Sequence, residues 1–127
     1  MIDFSNDRTI KLKPMDLAQG QEAVAMLLLE GESVGAAFKG ARDMIMFTGI
    51  RIIVVNVQGL AGKKTDYSSL PYRNIQAFSV ETAGALDRDA ELEIWMSGLG
   101  KVKLEFGKDV DIHAIGRWIG QKVLVDE

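Results

Sequence analysis

The chain has 127 residues, of which 47% are hydrophobic and 26% are charged, and its formal net charge is −3. This composition is typical of one globular domain, whereas a disordered chain would carry fewer apolar residues or a larger net charge. The charge balance does not favour a nucleic-acid partner, and we expect none. The chain contains no cysteine, which excludes disulfides, thiolate nucleophiles and cysteine–zinc sites and suits the cytoplasm, where we expect the protein to be located.

The apolar segments are too short to cross a membrane. The longest uninterrupted apolar run covers residues 23–29, whereas a spanning helix needs roughly 18–20 such residues. Acidic residues on both sides of the run, including Asp16 and Glu30, do not fit the cationic start of a signal peptide. We therefore expect a protein that is not secreted.

The N-terminal part of the chain predicts a tail followed by a helix. Residues 1–14 are polar and mixed in character, which predicts an irregular lead-in. Residues 15–29 follow a helical pattern, and their apolar side chains fall near one face: Leu17, Val24, Leu27 and Leu28. This face needs cover, either from the protein's own sheet or from a neighbouring subunit. We assign residues 1–31 to this tail and helix, and residues 32–127 to the main domain.

From residue 32 onward the pattern changes to short strands separated by turns. Seven strands are predicted, over residues 34–38, 43–48, 50–57, 63–70, 76–82, 91–97 and 101–106. The second and third strands are apolar on both faces. A strand with one solvent-exposed face alternates apolar with polar residues, so we expect other parts of the protein to pack on both faces of these two strands. The sixth strand alternates most clearly, with Leu92 and Ile94 predicted to face the core and Trp95 to face outward.

The C-terminal part predicts a second helix, which Asp109 caps and which extends to about residue 123. Three apolar residues of this helix are predicted to plug the mouth of a barrel: Ile115, Trp118 and Ile119. Gly116 and Gly120 lie four residues apart on one helical face, which allows another backbone to approach closely, either in the protein's own barrel or in a neighbouring subunit. The order of elements is a helix, about seven antiparallel strands and a final helix. This order predicts an α+β fold that is mainly β, or a small capped barrel.

Several strings in this region resemble the bacterial pleckstrin-homology family, formerly classed as a domain of unknown function. The most specific are FSVETAG at residues 78–84 and ELEIWMSG at residues 91–98, and the resemblance extends over residues 30–124. It implies a barrel of seven bent antiparallel strands whose open end is plugged by the C-terminal helix. It also implies ring-like homo-oligomers and no established enzymatic activity. One departure is Gly49-Ile50, where relatives commonly carry asparagine and a basic residue; we expect Gly49 to adopt a left-handed turn there.

A glycine-containing loop invites comparison with a phosphate-binding loop. Residues 59–65 place two residues between their glycines and precede a predicted strand. A phosphate-binding loop needs four residues between its glycines and a helix afterwards, because backbone N–H groups and the helix dipole must converge on the phosphate. The segment is therefore interpreted as a basic hairpin.

Basic residues on the turns form a candidate rim for an anionic ligand. Eukaryotic relatives of the fold bind phosphoinositides through clustered lysine and arginine between the first two strands, and the matching residues here are Lys39 and Arg42, with Asp43 beside them. The residues considered for this basic rim are Lys39, Arg42, Arg51, Lys63 and Lys64. Attraction to anionic lipid is worth about 1 kcal/mol per basic residue, which is weak for one subunit but is multiplied by avidity in a ring.

Two further features were weighed as chemical sites. Acidic residues recur at every second position: Asp87, Asp89, Glu91 and Glu93. A calcium loop needs glycine at its sixth position and glutamate at its twelfth, whereas these positions hold Leu92 and Gly98. The row is therefore predicted to be either a solvated face or a face that pairs with Lys101 and Lys103 across a hairpin. The single histidine, His113, has no partner in any motif and is predicted to face solvent, so neither a metal nor a cofactor is expected.

The leading hypothesis is a non-enzymatic binding or scaffold module that assembles into a ring-like homo-oligomer, with further copies of itself and other proteins as partners. The alternative is a peripheral membrane or anionic lipid-headgroup adaptor that uses the basic rim. A third hypothesis, an enzyme with an unrecognised site, would require a deep polar pocket that no motif predicts.

Overall fold

The computed structural model describes residues 1–4, 9–58, 64–86 and 89–126. Within them lie two α-helices, α1 (Leu17–Val24) and α2 (Ile112–Gly120), and eight strands. The strands are β1 (Thr9–Pro14), β2 (Val34–Lys39), β3 (Asp43–Thr48), β4 (Arg51–Gln58), β5 (Lys64–Pro71), β6 (Ile75–Glu81), β7 (Ala90–Met96) and β8 (Gly100–Phe106). Short 3₁₀ turns cover Ala25–Leu27 and Tyr72–Asn74, and a π-type turn covers Gln121–Val125.

The first strand corrects both the strand count and the description of the N-terminus. Residues 9–14 form β1 rather than an irregular lead-in, so the sheet has eight strands instead of seven, in the order β5-β4-β3-β2-β1-β8-β7-β6. β1 pairs antiparallel with β2 and parallel with β8. Its sequence, TIKLKP, alternates polar and apolar residues, and the fully buried Leu12 secures it in the core.

The sheet folds into two halves that face each other across one core. We call β1–β5 the first half-sheet and β1 with β8, β7 and β6 the second half-sheet. Phe38 packs edge-on against Phe47 of the first half-sheet and Phe106 of the second, with ring centroids 5.8 and 5.2 Å apart. Leu92 and Ile94 are fully buried in the same core, as predicted. β5 and β6 lie at opposite ends of the strand order, so the sheet is open rather than closed.

α1 supplies the second cover that the apolar strands need. A second buried cluster lies on the outer side of the first half-sheet, where Val24 of α1 meets Met46, Ile53 and Val55. The helix packs on its own sheet, which is one of the two covers predicted for it. It is shorter than the predicted helix over residues 15–29. The chain becomes extended at Leu28, and this residue packs against the second cluster.

Two local predictions are wrong. The N-cap of α2 is Asp111, whose carboxylate accepts hydrogen bonds from the backbone N–H groups of His113 and Ala114 at 3.1 and 3.2 Å. Asp109 instead belongs to the preceding turn, where the N–H of Val110 donates to Gly107. Gly49 is not left-handed: the described glycines with positive φ are Gly31, Gly98 and Gly100.

Candidate functional site

α2 closes one end of the fold through the residues predicted to plug it. Ile115 and Ile119 are buried in the core, and Trp118 packs against the same core while remaining partly accessible. The indole lies directly against Gly35 of β2, because a Cβ placed there would be 2.5 Å from Cη2 of Trp118. Glycine at residue 35 therefore makes room for the ring.

The glycines of α2 face the protein's own sheet. A Cβ added to Gly116 would lie 3.1 Å from Cγ1 of Val80, and one added to Gly120 would lie 3.8 Å from Cζ of Phe78. Both partners belong to β6. Both glycines therefore pack against the protein's own sheet, which is one of the two surroundings predicted for them.

A hydrogen-bonded chain ties the plug to the strands. The indole N–H of Trp118 donates to the hydroxyl of Tyr72 at 2.9 Å, and that hydroxyl donates to the carbonyl oxygen of Thr48 at 2.8 Å. Burial, with the nearby negative charge of Glu32 contributing, raises the pKa of the Tyr72 phenol well above its usual value. The hydroxyl therefore keeps its proton and serves as both acceptor and donor.

Arg51 forms an internal ion pair rather than part of an open rim. Its Nε and Nη2 atoms each donate to the carboxylate of Glu32 at 2.9 Å. The same guanidinium donates to the backbone oxygen of Leu27 at 2.7 Å and to the hydroxyl of Ser69 at 2.9 Å. A two-pronged contact of this kind is among the stronger charge-assisted hydrogen bonds. The arginine thereby connects the turn after α1 to β4 and β5.

Glu32 is strongly stabilised as a carboxylate. Its side chain is only 3% exposed, and burial alone would raise its pKa. Hydrogen bonds from Arg51, from the backbone N–H of Leu29 and from the hydroxyl of Thr48 outweigh this burial. They lower the pKa from 4.5 to about 2, so Glu32 is ionised throughout the physiological range.

The structure divides the predicted basic rim between two ends of the first half-sheet. Lys39 and Arg42 flank the turn between β2 and β3, and Lys64 begins β5 opposite Gln58, at the same end of the sheet. Arg51 lies at the other end of β4, about 23 Å away for seven residues of extended strand. Its assignment to the rim is therefore corrected, while Lys63 lies outside the described residues.

A groove with basic side chains lies beside the Arg51–Glu32 pair, and we call it the cationic groove. It has a volume of about 570 Å³. The charged residues that line it are Arg51, Arg73, Lys122 and Asp126, and the apolar ones include Leu29, Ile50, Pro71, Ile75 and Val123. The Nζ atom of Lys122 lies 5.1 Å from the centroid of the Trp118 ring and 3.0 Å from Oδ2 of Asp126. Lys122 thus links the groove to Trp118 at the plugged end of the fold.

Comparisons with known proteins agree with this architecture. The family model described as "Bacterial PH domain" matches residues 3–123. The chain belongs to the bacterial PH domain family. It is 52% identical over 112 residues to the uncharacterised protein YjqA of Bacillus subtilis (strain 168), covering 87% of this chain and 86% of YjqA. The resemblance inferred from the sequence strings and the PH-like, mainly β fold class are both confirmed.

Solved structures of other bacterial PH domains have the same fold. A DUF1696 family protein with a pleckstrin-homology domain from Shewanella loihica PV-4 has a TM-score of 0.81 and 34% identity, covering 91% of this chain and 99% of that one. A pleckstrin homology domain from Shewanella amazonensis SB2B has a TM-score of 0.69 and 37% identity, covering 87% and 90% of the two chains.

The other candidate sites of this bacterial PH domain behave as ordinary surface. Lys103 lies 3.6 Å from Glu91 and 3.8 Å from Glu93, and Lys101 lies 3.9 Å from Glu93, so the second of the two alternatives, pairing across the hairpin, is the one observed. In the part of the chain that the structure describes, no three metal-ligating side chains come together, and Asp87 lies outside it. His113 is exposed, as predicted. The described helices include none of the length and hydropathy that a membrane span requires.

The residues that organise the plugged end were missed by sequence reasoning. Thr48, Tyr72 and Arg73 carry no chemical motif, although Tyr72 follows a proline inside one of the strings that resemble the family. One local pattern did indicate a contact at the plugged end. Lys122 lies four residues after Trp118, which is the spacing of neighbours on a helical face. Convergence of β3, the 3₁₀ turn and the C-terminal turn is a tertiary property, so the groove could not be predicted from the sequence.

Proposed function

We propose that this bacterial PH domain is a non-enzymatic cytoplasmic module that assembles head to tail into a ring of identical subunits. The observation that carries the proposal is a pair of exposed apolar surfaces on opposite outer faces of the fold. The sheet surface is Trp95 on the second half-sheet, and the helix surface is Leu17 and Met26 beside the first half-sheet.

The sheet surface has the composition expected at the centre of a protein–protein interface. Trp95 is 51% exposed on β7, in register with Ala77 on β6 and Lys101 on β8. The charged side chains of the acidic row and its lysine partners surround it on the same face. Tryptophan is enriched among the residues that dominate binding energy, and a polar rim around such a residue is usual in protein interfaces.

The helix surface consists of two exposed apolar side chains, one at each end of the α1 segment. Leu17 begins α1 and is 48% exposed, whereas Met26 follows the helix in the 3₁₀ turn and is 68% exposed. They are separated by about 13 Å for nine residues of helical rise. Methionine adapts its shape to a partner surface more readily than branched residues do, which suits a contact with the indole of a neighbouring subunit.

Two different surfaces on opposite sides favour a ring over a two-fold dimer. A contact between unlike surfaces repeats head to tail, and it closes into a ring when the rotation between subunits closes. The resemblance to the family independently implies ring-like homo-oligomers. The non-enzymatic part of the proposal is supported by the use of Thr48, Arg51 and Tyr72 in internal hydrogen bonds, which leaves these groups engaged within the fold.

Light scattering on the protein at tens of micromolar tests the proposal. We expect the wild type to be a discrete oligomer and Trp95→Ser to be a monomer. The matched control is Leu86→Ser, because Leu86 is fully exposed in the loop between β6 and β7 and belongs to neither surface, so its change should leave the oligomer intact. A monomeric wild type, or equal behaviour of the two variants, would overturn the proposal.

Mixing two variants tests whether the contact is head to tail. Met26→Glu should also give monomers, because it places a charge at the helix surface. A mixture of Met26→Glu and Trp95→Ser subunits retains one intact contact per pair, so we expect dimers and nothing larger. A two-fold contact between like surfaces would leave one of the two variants dimeric by itself, and it would replace the ring by a symmetric dimer.

One observation favours the alternative function as a lipid-headgroup adaptor. Lys39, Arg42 and Lys64 are gathered at one end of the first half-sheet. Attraction to anionic lipid is worth roughly 1 kcal/mol per basic residue, the neighbouring Asp43 offsets part of it, and avidity in a ring would multiply the remainder. Co-sedimentation with vesicles containing anionic lipid at low salt tests this function, and no binding by the oligomer would end it.

A further inference from the structure

We propose that the cationic groove binds a single-chain acyl carboxylate, with its head between Arg73 and Lys122 and its chain along the apolar wall. This inference goes beyond self-assembly and involves neither the sheet surface nor the helix surface. It also lies at the opposite end of β4 from Lys39, Arg42 and Lys64, so a ligand there is distinct from one at the rim.

The charge of the groove fits one negative head group. Among the lining residues, Arg51 is neutralised by its two-pronged pair with Glu32. Lys122 is paired with Asp126, whereas Arg73 is exposed and has no carboxylate partner among the described residues. The lining therefore carries one positive charge in excess on a chain whose net charge is −3. One excess charge matches a carboxylate better than a doubly charged phosphate.

Lys122 is held in position for an anion. Its side chain is 19% exposed, and its ammonium group lies over the Trp118 ring, 5.1 Å from the centroid. A cation over an aromatic face keeps its remaining hydrogens available to an acceptor. In the structure that acceptor is Asp126, whose carboxylate lies at 3.0 Å and is 41% exposed. Exposed pairs spaced by four residues are weak, so the carboxylate of a ligand can replace that of Asp126.

The walls of the groove fit an alkyl chain. Pro71, Ile75 and Val123 line its interior, and Leu29 and Ile50 line it while remaining 61% and 52% exposed. Beyond them, Leu124 and Val125 are 74% and 65% exposed on the C-terminal turn. Burial of these side chains by a ligand is favourable in proportion to the apolar area removed from water. The volume of about 570 Å³ falls within the range typical of small-molecule sites.

Trp118 is a built-in reporter for the test. We use the Trp95→Phe variant, in which Trp118 is the only tryptophan, and titrate it with decanoate below its micelle concentration. We expect a saturable change in indole emission, because the ligand draws Lys122 away from the ring. Decanol and decyltrimethylammonium supply the same chain with a neutral or a positive head, and neither should produce this change. Equal binding of decanol would overturn the proposal.

Variants of the lining residues separate a charge-specific site from non-specific apolar binding. Arg73→Gln and Lys122→Gln should each weaken decanoate binding at least tenfold in calorimetric titrations of the otherwise unchanged protein. Arg117→Gln is the matched control, because Arg117 is exposed on α2 outside the lining, and it should bind decanoate like the wild type. Asp126→Asn should bind several-fold more tightly, since it removes the competing carboxylate.

Two results would overturn the proposal: unchanged affinity in Asp126→Asn, or binding to anionic vesicles without any binding to free decanoate. The second result would assign the groove to membrane lipid. Light scattering on the same samples reports the subunit number separately, so that failure of ligand binding and failure of ring assembly are distinguishable.

Discussion

The two half-sheets bury the same core, but their outer faces differ in chemistry and in cover. The outer face of the first half-sheet carries Met46, Ile53 and Val55 beneath α1. The outer face of the second half-sheet carries the pairs of Glu91 and Glu93 with lysines and leaves Trp95 exposed. The strands that are apolar on both sides are covered by a helix of the same chain. The strands that alternate apolar and polar residues have an outer face that is accessible to solvent or to a partner.

The largest expected change in stability distinguishes the outer face covered by α1 from the exposed outer face of the second half-sheet. Ile53→Ala removes a fully buried side chain beneath α1 and should lower the free energy of unfolding by about 2–5 kcal/mol, as large-to-small core changes do. Ser79→Ala on the open face of β6 is the control and should stay within about 0.5 kcal/mol. Urea denaturation measures both, and a loss below about 1 kcal/mol for Ile53→Ala would mean that α1 does not seal that face.

The ion pairs of the two halves should differ in their response to acid. The pKa of Glu32 is lowered to about 2 from 4.5, so the folded protein binds this proton less tightly than the unfolded chain. Its contribution to stability is complete above about pH 4.5 and is lost as the pH falls towards 2. That contribution is roughly 3 kcal/mol at 1.36 kcal/mol per pKa unit.

Replacement of each acid by its amide measures this difference. Glu32→Gln should lower the free energy of unfolding at pH 7, and this free energy should fall less between pH 4.5 and 2 than it does in the wild type. Glu93→Gln breaks only longer contacts, at 3.8 and 3.9 Å to lysines on the open face, and should change stability by less than about 1 kcal/mol. Acid titrations of the unfolding free energy that are identical for the wild type and Glu32→Gln would contradict the ion-pair assignment.

The two helices should respond oppositely to an added methyl group, which is the smallest effect expected here. A Cβ on Gly20 of α1 would lie 2.5 Å from Cβ of Ala37, so Gly20→Ala should cost about 1–3 kcal/mol through overpacking. On α2, the nearest atom to a Cβ at Gly120 lies at 3.8 Å. Gly120→Ala should therefore raise stability by up to about 1 kcal/mol. Thermal unfolding of the pair checks the contrast, and destabilisation by both would place α2 closer to β6 than described.

Hydrophobic patterning predicted the parts of the fold that depend on it. The double-sided apolarity of β3 and β4 predicted their cover, and the apolar face of the last helix predicted the plug formed by Trp118. β1 was missed because TIKLKP is short and half polar. Its pairing depends on β2 and β8, which the local pattern does not encode.

The candidate sites were less predictable, because charge in a sequence does not indicate its partner. Arg51 was grouped with the rim lysines by residue type, but Glu32 and the carbonyl of Leu27 engage it inside the fold. Arg73 and Lys122 are 49 positions apart in the printed sequence and meet only because the C-terminal turn packs near the 3₁₀ turn after β5. Such a groove becomes visible only when the tertiary structure is known.

The position of β1 between β2 and β8 has a consequence for how the protein is made. Leu12 takes its place beside Phe106, so the central ladder joins an early segment of the chain to a late one. Because contacts of large sequence separation form slowly, the middle of the sheet is completed only after the ribosome has delivered β8. Until then the inner apolar faces of β3 and β4 lack the second half-sheet that covers them, and this interval is when the growing polypeptide is most prone to aggregate.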